Sequence, residues 1–244
     1  MYQWNYMTYQ CFKLPVLKVE RTNTIYHHWL NDFAQSDVFA DTSQDILIAL
    51  SRLIPILLCG EQSANFVFGQ EVKKQQYHHE LSTDNNIIDG LLSIESDEYF
   101  HDQALKAVLK KINEKLHYQQ DIKKLTRQAQ LFYYQIGKSD STIQHFANIK
   151  HLDTCVTIIM SEMAKSKLGK EHLLSKLFHL IHLDEAKHVR ICSAYIKYLG
   201  GDNKIINQQA KPIKTRLVAL LKSESPSFIT MGINPEKLFY RIMR

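Results

Sequence analysis

The chain has 244 residues, 45% hydrophobic and 23% charged, a composition that excludes an extended disordered or collagen-like chain and fits one folded domain. The formal net charge of +5 is small for the length and is not gathered in one block, so nucleic-acid binding is not expected. Four cysteines, Cys11, Cys59, Cys155 and Cys192, stand far apart with no C-x-x-C spacing, which argues against a zinc knuckle, a rubredoxin-like iron site or a disulfide framework; they read as buried free thiols.

The first twenty residues read as irregular. Their start, MYQWNYMTYQ, lacks a basic region followed by an apolar one, and no run of 18 apolar residues follows, so a soluble cytoplasmic protein without membrane contact is expected. With eight glycines, five prolines and almost no two-residue alternation of apolar and polar residues, the chain reads as all-α. Thr22 or Asn23 caps a short helix through Gln35. Thr42 or Ser43 caps a long one to about Gln76, with a kink expected at Pro55. A polar turn over Ser82 to Asn86 precedes a helix from Ile87 to Lys115, and further helices follow at Tyr118 to Tyr134, Thr142 to Ser166 and Glu171 to Leu199. Gly169 and Gly200-Gly201 punctuate the last two. From Asn203 onward, Pro212, Pro226 and Pro235 are expected to separate short pieces such as Ile213 to Lys222, packed outside the bundle.

One phrase occurs twice, Asp97-Glu98-Tyr99-Phe100-His101 and Asp184-Glu185-Ala186-Lys187-His188. Shuffling the composition gives about 0.6 E-x-x-H pairs and about 0.03 preceded by Asp, so chance is a poor account of two. On a helix the spacing of three turns each glutamate and histidine to one face. Glu61 lies on the apolar stripe of Leu50, Ile54, Leu57, Ala64 and Phe68, and Glu162 lies among Cys155, Ile159 and Met163. Glu71 is the rival of Glu61, nearer a polar helix end, and Glu95 lies one turn before Glu98 as a further acid. Buried carboxylates need partners, and two cations among four of them supply the neutralisation. Carboxylate and imidazole donors favour iron, with manganese as the alternative, over structural zinc.

With E, E-x-x-H, E, E-x-x-H on four core helices, the chain resembles the ferritin-like di-iron carboxylate superfamily over about Thr42 to Leu199. The resemblance implies a ferritin-like four-helix bundle core with peripheral helices, one domain over 1–244 with its core at about 42–199. It implies Glu61, Glu98, His101, Glu162, Glu185 and His188 as metal ligands, with Glu98 and Glu185 bridging. Asp97 and Asp184 match acids that hydrogen-bond the histidine ligand of the opposite E-x-x-H helix. The interval of 23 between Glu162 and Glu185 departs from the thirty-odd residues usual in that superfamily. His182, one turn before Glu185 in HLDEAKH, looks like the extra histidine of the N-oxygenases similar to p-aminobenzoate N-oxygenase, at an interval of three rather than four. It reads either as a seventh ligand or as a packed histidine beside the site.

The function this implies is a di-iron oxygenase that uses O2 to N-oxygenate or hydroxylate a biosynthetic small molecule, free or tethered to an acidic carrier protein. No catalytic residue beyond the metal centre is expected; an external electron donor and a homodimer are. A ferritin- or rubrerythrin-like ferroxidase or peroxide scavenger, and a non-catalytic helical interaction protein, are the alternatives. Leu105 stands four residues after His101, where the radical-bearing subunit of ribonucleotide reductase has a tyrosine, which weakens a radical-generator reading. His27, His28, His78 and His79 read as surface histidines, and Tyr99, Phe100, Phe132, Tyr133 and Tyr134 as packing residues.

Overall fold

A computed structural model describes residues 23–79, 85–116 and 123–244, and among them every regular element is a helix. Cys11, most of the polar turn at Ser82, the side chains of His78 and His79, and the start of the Tyr118 helix lie outside what is described. Asn23 caps α1 (Thr24–Gln35) by accepting the Tyr26 amide, and the Ser43 hydroxyl accepts the Ile46 amide at the head of α2 (Gln44–His79). α2 stays helical through Pro55. Next come α3 (Asn85–Leu116), α4 (Lys123–Gly137), α5 (Thr142–Met163), capped by Ser141, and α6 (Leu173–Tyr198). At the end of α6, Gly200 takes φ +83° and the Gly201 amide reaches back to the Ile196 carbonyl, a chain reversal that favours glycine.

The C-terminal part differs from expectation. α7 runs unbroken over Asn203–Leu221 with Pro212 inside it, followed by a 3-10 turn (Lys222–Glu224), α8 (Ser225–Thr230) and α9 (Pro235–Met243). Pro212 cannot donate to the carbonyl four residues back, yet Ile206, Ile213, Leu217 and Leu221 are all buried, mostly where α7 packs on α5. His151 of α5 also ties to the Ile206 carbonyl at 2.7 Å. Burial of that stripe offsets the lost backbone bond.

α2 and α3 run antiparallel: Glu61 meets His101, and further along Asn65 meets the Glu95 carbonyl. α5 and α6 do the same, with Thr157 against His182 and Asp153 against Glu185. α3 and α6 join the two pairs, again antiparallel, through His101 with Asp184 and Asp97 with His188. α2 is also the one described helix apolar and long enough to cross a membrane, and 72% of its most apolar window is buried inside the protein. The three described cysteines, Cys59, Cys155 and Cys192, are free and buried.

The apolar core falls into two clusters. One contains Leu50, Ile54, Leu57, Leu105, Ile159 and Ile181; the other contains Phe68, Ile94, Phe146, Ile149 and Cys192. On α2, α3 and α6 the chain passes from one cluster to the other across an acidic stretch, and on α5 Asp153 lies next to the same boundary, beside Leu152. The helical bundle thus has a polar layer between two dry ones.

Candidate metal centre

Six side chains from four helices fill that layer: Glu61 of α2, Glu98 and His101 of α3, Asp153 of α5, and Glu185 and His188 of α6. None is more than 4% exposed. Two sets have ligand atoms within 4.8 Å of one another, Glu61 with Glu98, His101 and Glu185, and Asp153 with Glu185 and His188. Helical spacing of three puts each glutamate beside its own histidine, and antiparallel packing of α3 on α6 brings the two couples face to face. The imidazole rings lie 6.1 Å apart between centroids.

Both histidines turn Nδ1 inward. His101 Nδ1 is 2.9 Å from Glu61, 3.8 Å from Glu98 and 3.9 Å from Glu185. His188 Nδ1 is 3.3 Å from Glu98 and 3.8 Å from Glu185. Glu98 and Glu185 therefore reach both imidazoles, whereas Glu61 stands by His101 and Asp153 groups with His188.

The outward nitrogens meet carboxylates across the helix pair. His101 Nε2 is 3.2 Å from Asp184 and His188 Nε2 is 3.1 Å from Asp97. Such a partner places the ring proton on Nε2 and leaves the Nδ1 lone pair facing inward. The two outer acids are held differently. The Tyr26 hydroxyl of α1 donates to Asp184 at 2.8 Å, while the Lys187 ammonium donates to Asp97 and lies 3.6 Å from Asp184.

An unprotonated Nδ1 facing carboxylate oxygens would be a meeting of acceptors, so a proton or a metal cation has to lie between them; His101 Nδ1 meets Glu61 in such a hydrogen bond. Both oxygens of Glu98, one each of Glu185 and Asp153, and His188 Nδ1 are buried with no hydrogen bond. The titration behaviour follows. Burial, with the Glu61 charge, pushes Glu98 up to about 8. Burial also raises Glu185, and raises Asp153 well above the usual carboxylate range. Glu61 is lowered, because His101 outweighs its burial. Against burial, His101 is held well above its ordinary value by Tyr26, Glu61 and Asp184, and His188 by Asp97, Glu185 and Glu98. Without a cation the layer retains protons. Two divalent ions would neutralise its four carboxylates and occupy its unmatched acceptors, so the donor set fits a pair of metals.

The structure separates the expected residues into two groups. Glu61, Glu98, His101, Glu185 and His188 come together, with Asp97 and Asp184 bonding the histidine of the opposite helix. Glu162 does not join them: its half-exposed carboxylate pairs with Arg241 of α9. It lies nine residues from Asp153 on α5, about half a turn away at 100° per residue, so the two acids point to opposite sides. The Asp153 to Glu185 interval is 32, and the departure noted for Glu162 disappears. His182 also stands outside the cluster, its Nδ1 against the Thr157 carbonyl at 3.0 Å. Glu71 belongs to another network, accepting from Tyr195 and Gln75. Glu95 is buried near Glu98 but belongs to neither set of converging ligand atoms.

Sequence reasoning missed Asp153, Tyr26 and Lys187. The interval to Glu185 could have found Asp153, had aspartate been admitted beside glutamate. No local pattern announces Tyr26, because its role depends on where α1 lies. In comparisons with known proteins, the chain matches no family model, no curated protein and no solved structure.

Proposed function

We propose that the protein is a non-haem di-iron oxygenase with a ferritin-like four-helix core, acting in the cytoplasm on a biosynthetic small molecule, free or carrier-borne, with an external electron donor. The ligands are Glu61, Glu98, His101, Asp153, Glu185 and His188, with manganese the alternative metal. The observation that carries this reading is the convergence of four buried carboxylates and two imidazoles, among which both Glu98 oxygens, one oxygen each of Glu185 and Asp153, and His188 Nδ1 lack hydrogen bonds. Reduced iron in such a site supplies the electrons that activate O2.

The chain's own part is positional. Glu98 and Glu185, each reaching both imidazoles, would hold metal together with either histidine, whereas Glu61 would serve the His101 side and Asp153 the His188 side. Asp184 and Asp97 hold the Nε2 protons and so fix which nitrogen faces inward. The apolar layers on either side keep water from the acids. N-oxygenation and carbon hydroxylation both remain within the proposal, but His182 no longer favours the former, since it bonds a backbone carbonyl instead.

The test is anaerobic metal analysis followed by rapid mixing of the reduced protein with O2, with and without candidate amines. About two irons per chain and an O2-dependent absorbance change whose decay a substrate accelerates are expected. A chain that takes up no iron refutes the centre. Conversion of added ferrous ion into a mineral, with no substrate oxidised, would favour the ferroxidase alternative.

A further inference from the structure

Away from the acid layer, α1, the end of α5 and the first turns of α6 border a cleft of about 710 Å3. Ser175 lines it. This side chain is 2% exposed, and its hydroxyl makes no hydrogen bond among the described residues. Ser175 is the third residue of α6, where backbone amides have no carbonyl of their own helix to meet and the helix end favours negative charge. The capping His172 accepts only the Leu174 amide, and its other nitrogen meets the Val38 carbonyl.

The charged lining is mainly basic. Lys165, Lys170 and Lys176 stand against one lining acid, Asp32, with His28, His179 and His182 as further polar groups. Lys176 lies 3.4 Å from Glu171, and Lys165 donates to Ser161, whereas Lys170 has no ion pair among the described residues. The remaining wall is apolar, with Trp29, Leu173 and Leu180 forming it beside Ile25, which is 59% exposed. Trp29 Nε1 donates to the Leu173 carbonyl at 2.9 Å and ties α1 to the head of α6. A buried hydroxyl donor at a positive helix end, cations around the mouth and an apolar wall form a site for a molecule with one anionic end.

We propose that this cleft binds a small amphipathic oxyanion, a carboxylate or phosphate monoester seated on Ser175 and the N-terminus of α6, its apolar body lying on Trp29, Leu173 and Leu180. Ser175 precedes Glu185 by ten residues, about 15 Å at 1.5 Å per residue, and the lining His182 precedes it by one turn. A body extending along α6 from the anion site therefore runs toward the acid layer. Binding here requires no metal, so it stands or falls separately from the di-iron reading.

The test uses octanoate, octyl phosphate and octan-1-ol, titrated against metal-free and iron-loaded protein. The chain has two tryptophans, so a Trp4→Phe background leaves Trp29 in the cleft wall as the reporter. At least one of the two anions is expected to bind at least about tenfold more tightly than the alcohol, equivalent to about 1.4 kcal/mol, in both forms of the protein. The tighter anion identifies the head group. Ser175→Ala and Lys170→Gln should each weaken that anion severalfold and leave the alcohol unchanged, with circular dichroism and iron uptake as in the parent. Equal affinity for alcohol and anions, no binding of any probe, or anion affinity unmoved by both substitutions would overturn the proposal.

Discussion

Replacing Asp153 by Asn and Glu162 by Gln, in separate variants, tests which acid of α5 completes the centre. Asp153 is 4% exposed and stands with Glu185 and His188, whereas Glu162 pairs with Arg241 at side-chain exposures of 29% and 45%. A four-ligand metal site is worth about 10–16 kcal/mol, so one ligand carries about 3 kcal/mol, and its loss lowers affinity at one position by about a hundredfold. Asp153→Asn should therefore retain about one tightly held iron per chain where the parent is expected to hold about two. Its metal-free form should be no less stable than the parent, because the substitution removes an acid that burial already disfavours as an anion. Glu162→Gln should lose no more than about 1 kcal/mol, the value of an exposed ion pair, and keep both irons. Equilibrium dialysis against ferrous ion with metal analysis reads the stoichiometry, and urea unfolding reads the stability. Two irons in Asp153→Asn together with one in Glu162→Gln would refute the assignment.

Asp184→Asn should weaken metal binding by about 10–100-fold on the His101 side, and Asp97→Asn similarly on the His188 side, as chelator competition would measure. Tyr26→Phe leaves Asp184 in place and should cost only about 1 kcal/mol of stability; an effect on metal affinity as large as that of Asp184→Asn would contradict the arrangement. Glu98, Glu185, Asp153, His101 and His188 all bind protons more tightly in the fold than in the unfolded chain, so native protein holds the excess protons and its stability falls as pH rises. For Glu98 the window runs from its ordinary value of 4.5 to about 8. Glu61 and Asp184, held low, act in the opposite sense only below about pH 5, and His145, His151 and His172, which burial holds low, only below about pH 6.5. The Tm of metal-free protein should therefore drop from about pH 6.5 to about 8, and bound metal, by displacing the protons, should flatten the drop; a metal-free Tm that climbs over that range contradicts the reasoning. Arg52→Ala strands the buried Glu224 carboxylate, which among the described residues retains only Ser227, and should cost toward the lower end of about 3–5 kcal/mol in urea unfolding.

What could be read from the sequence was whatever depends on a few neighbouring residues. Helical periodicity gave α2, α3, α5 and α6 near their observed limits, the caps at Asn23 and Ser43 followed from side-chain chemistry, and a spacing of three fixed each Glu-His couple on one face. The outer bonds were expected only from the resemblance that the doubled Asp-Glu-x-x-His phrase carries, and antiparallel packing of α3 on α6 does set each aspartate against the other's histidine. The fourth acid was not legible in the same way. α5 buries residues on several sides, including Ile149, Leu152, Asp153, Cys155 and Ile159. Its apolar pattern therefore did not tell which direction faced α6; Glu162 was expected in the layer and Asp153 was not considered, and only the packing brings Asp153 there. Pro212 likewise signalled a break that burial of α7 overrode, and Tyr26 gained a partner only when α1 was laid over α6. The helix period is written into local backbone geometry; the rotation of one helix about its axis is decided by the partners that surround it, and those come from distant parts of the chain.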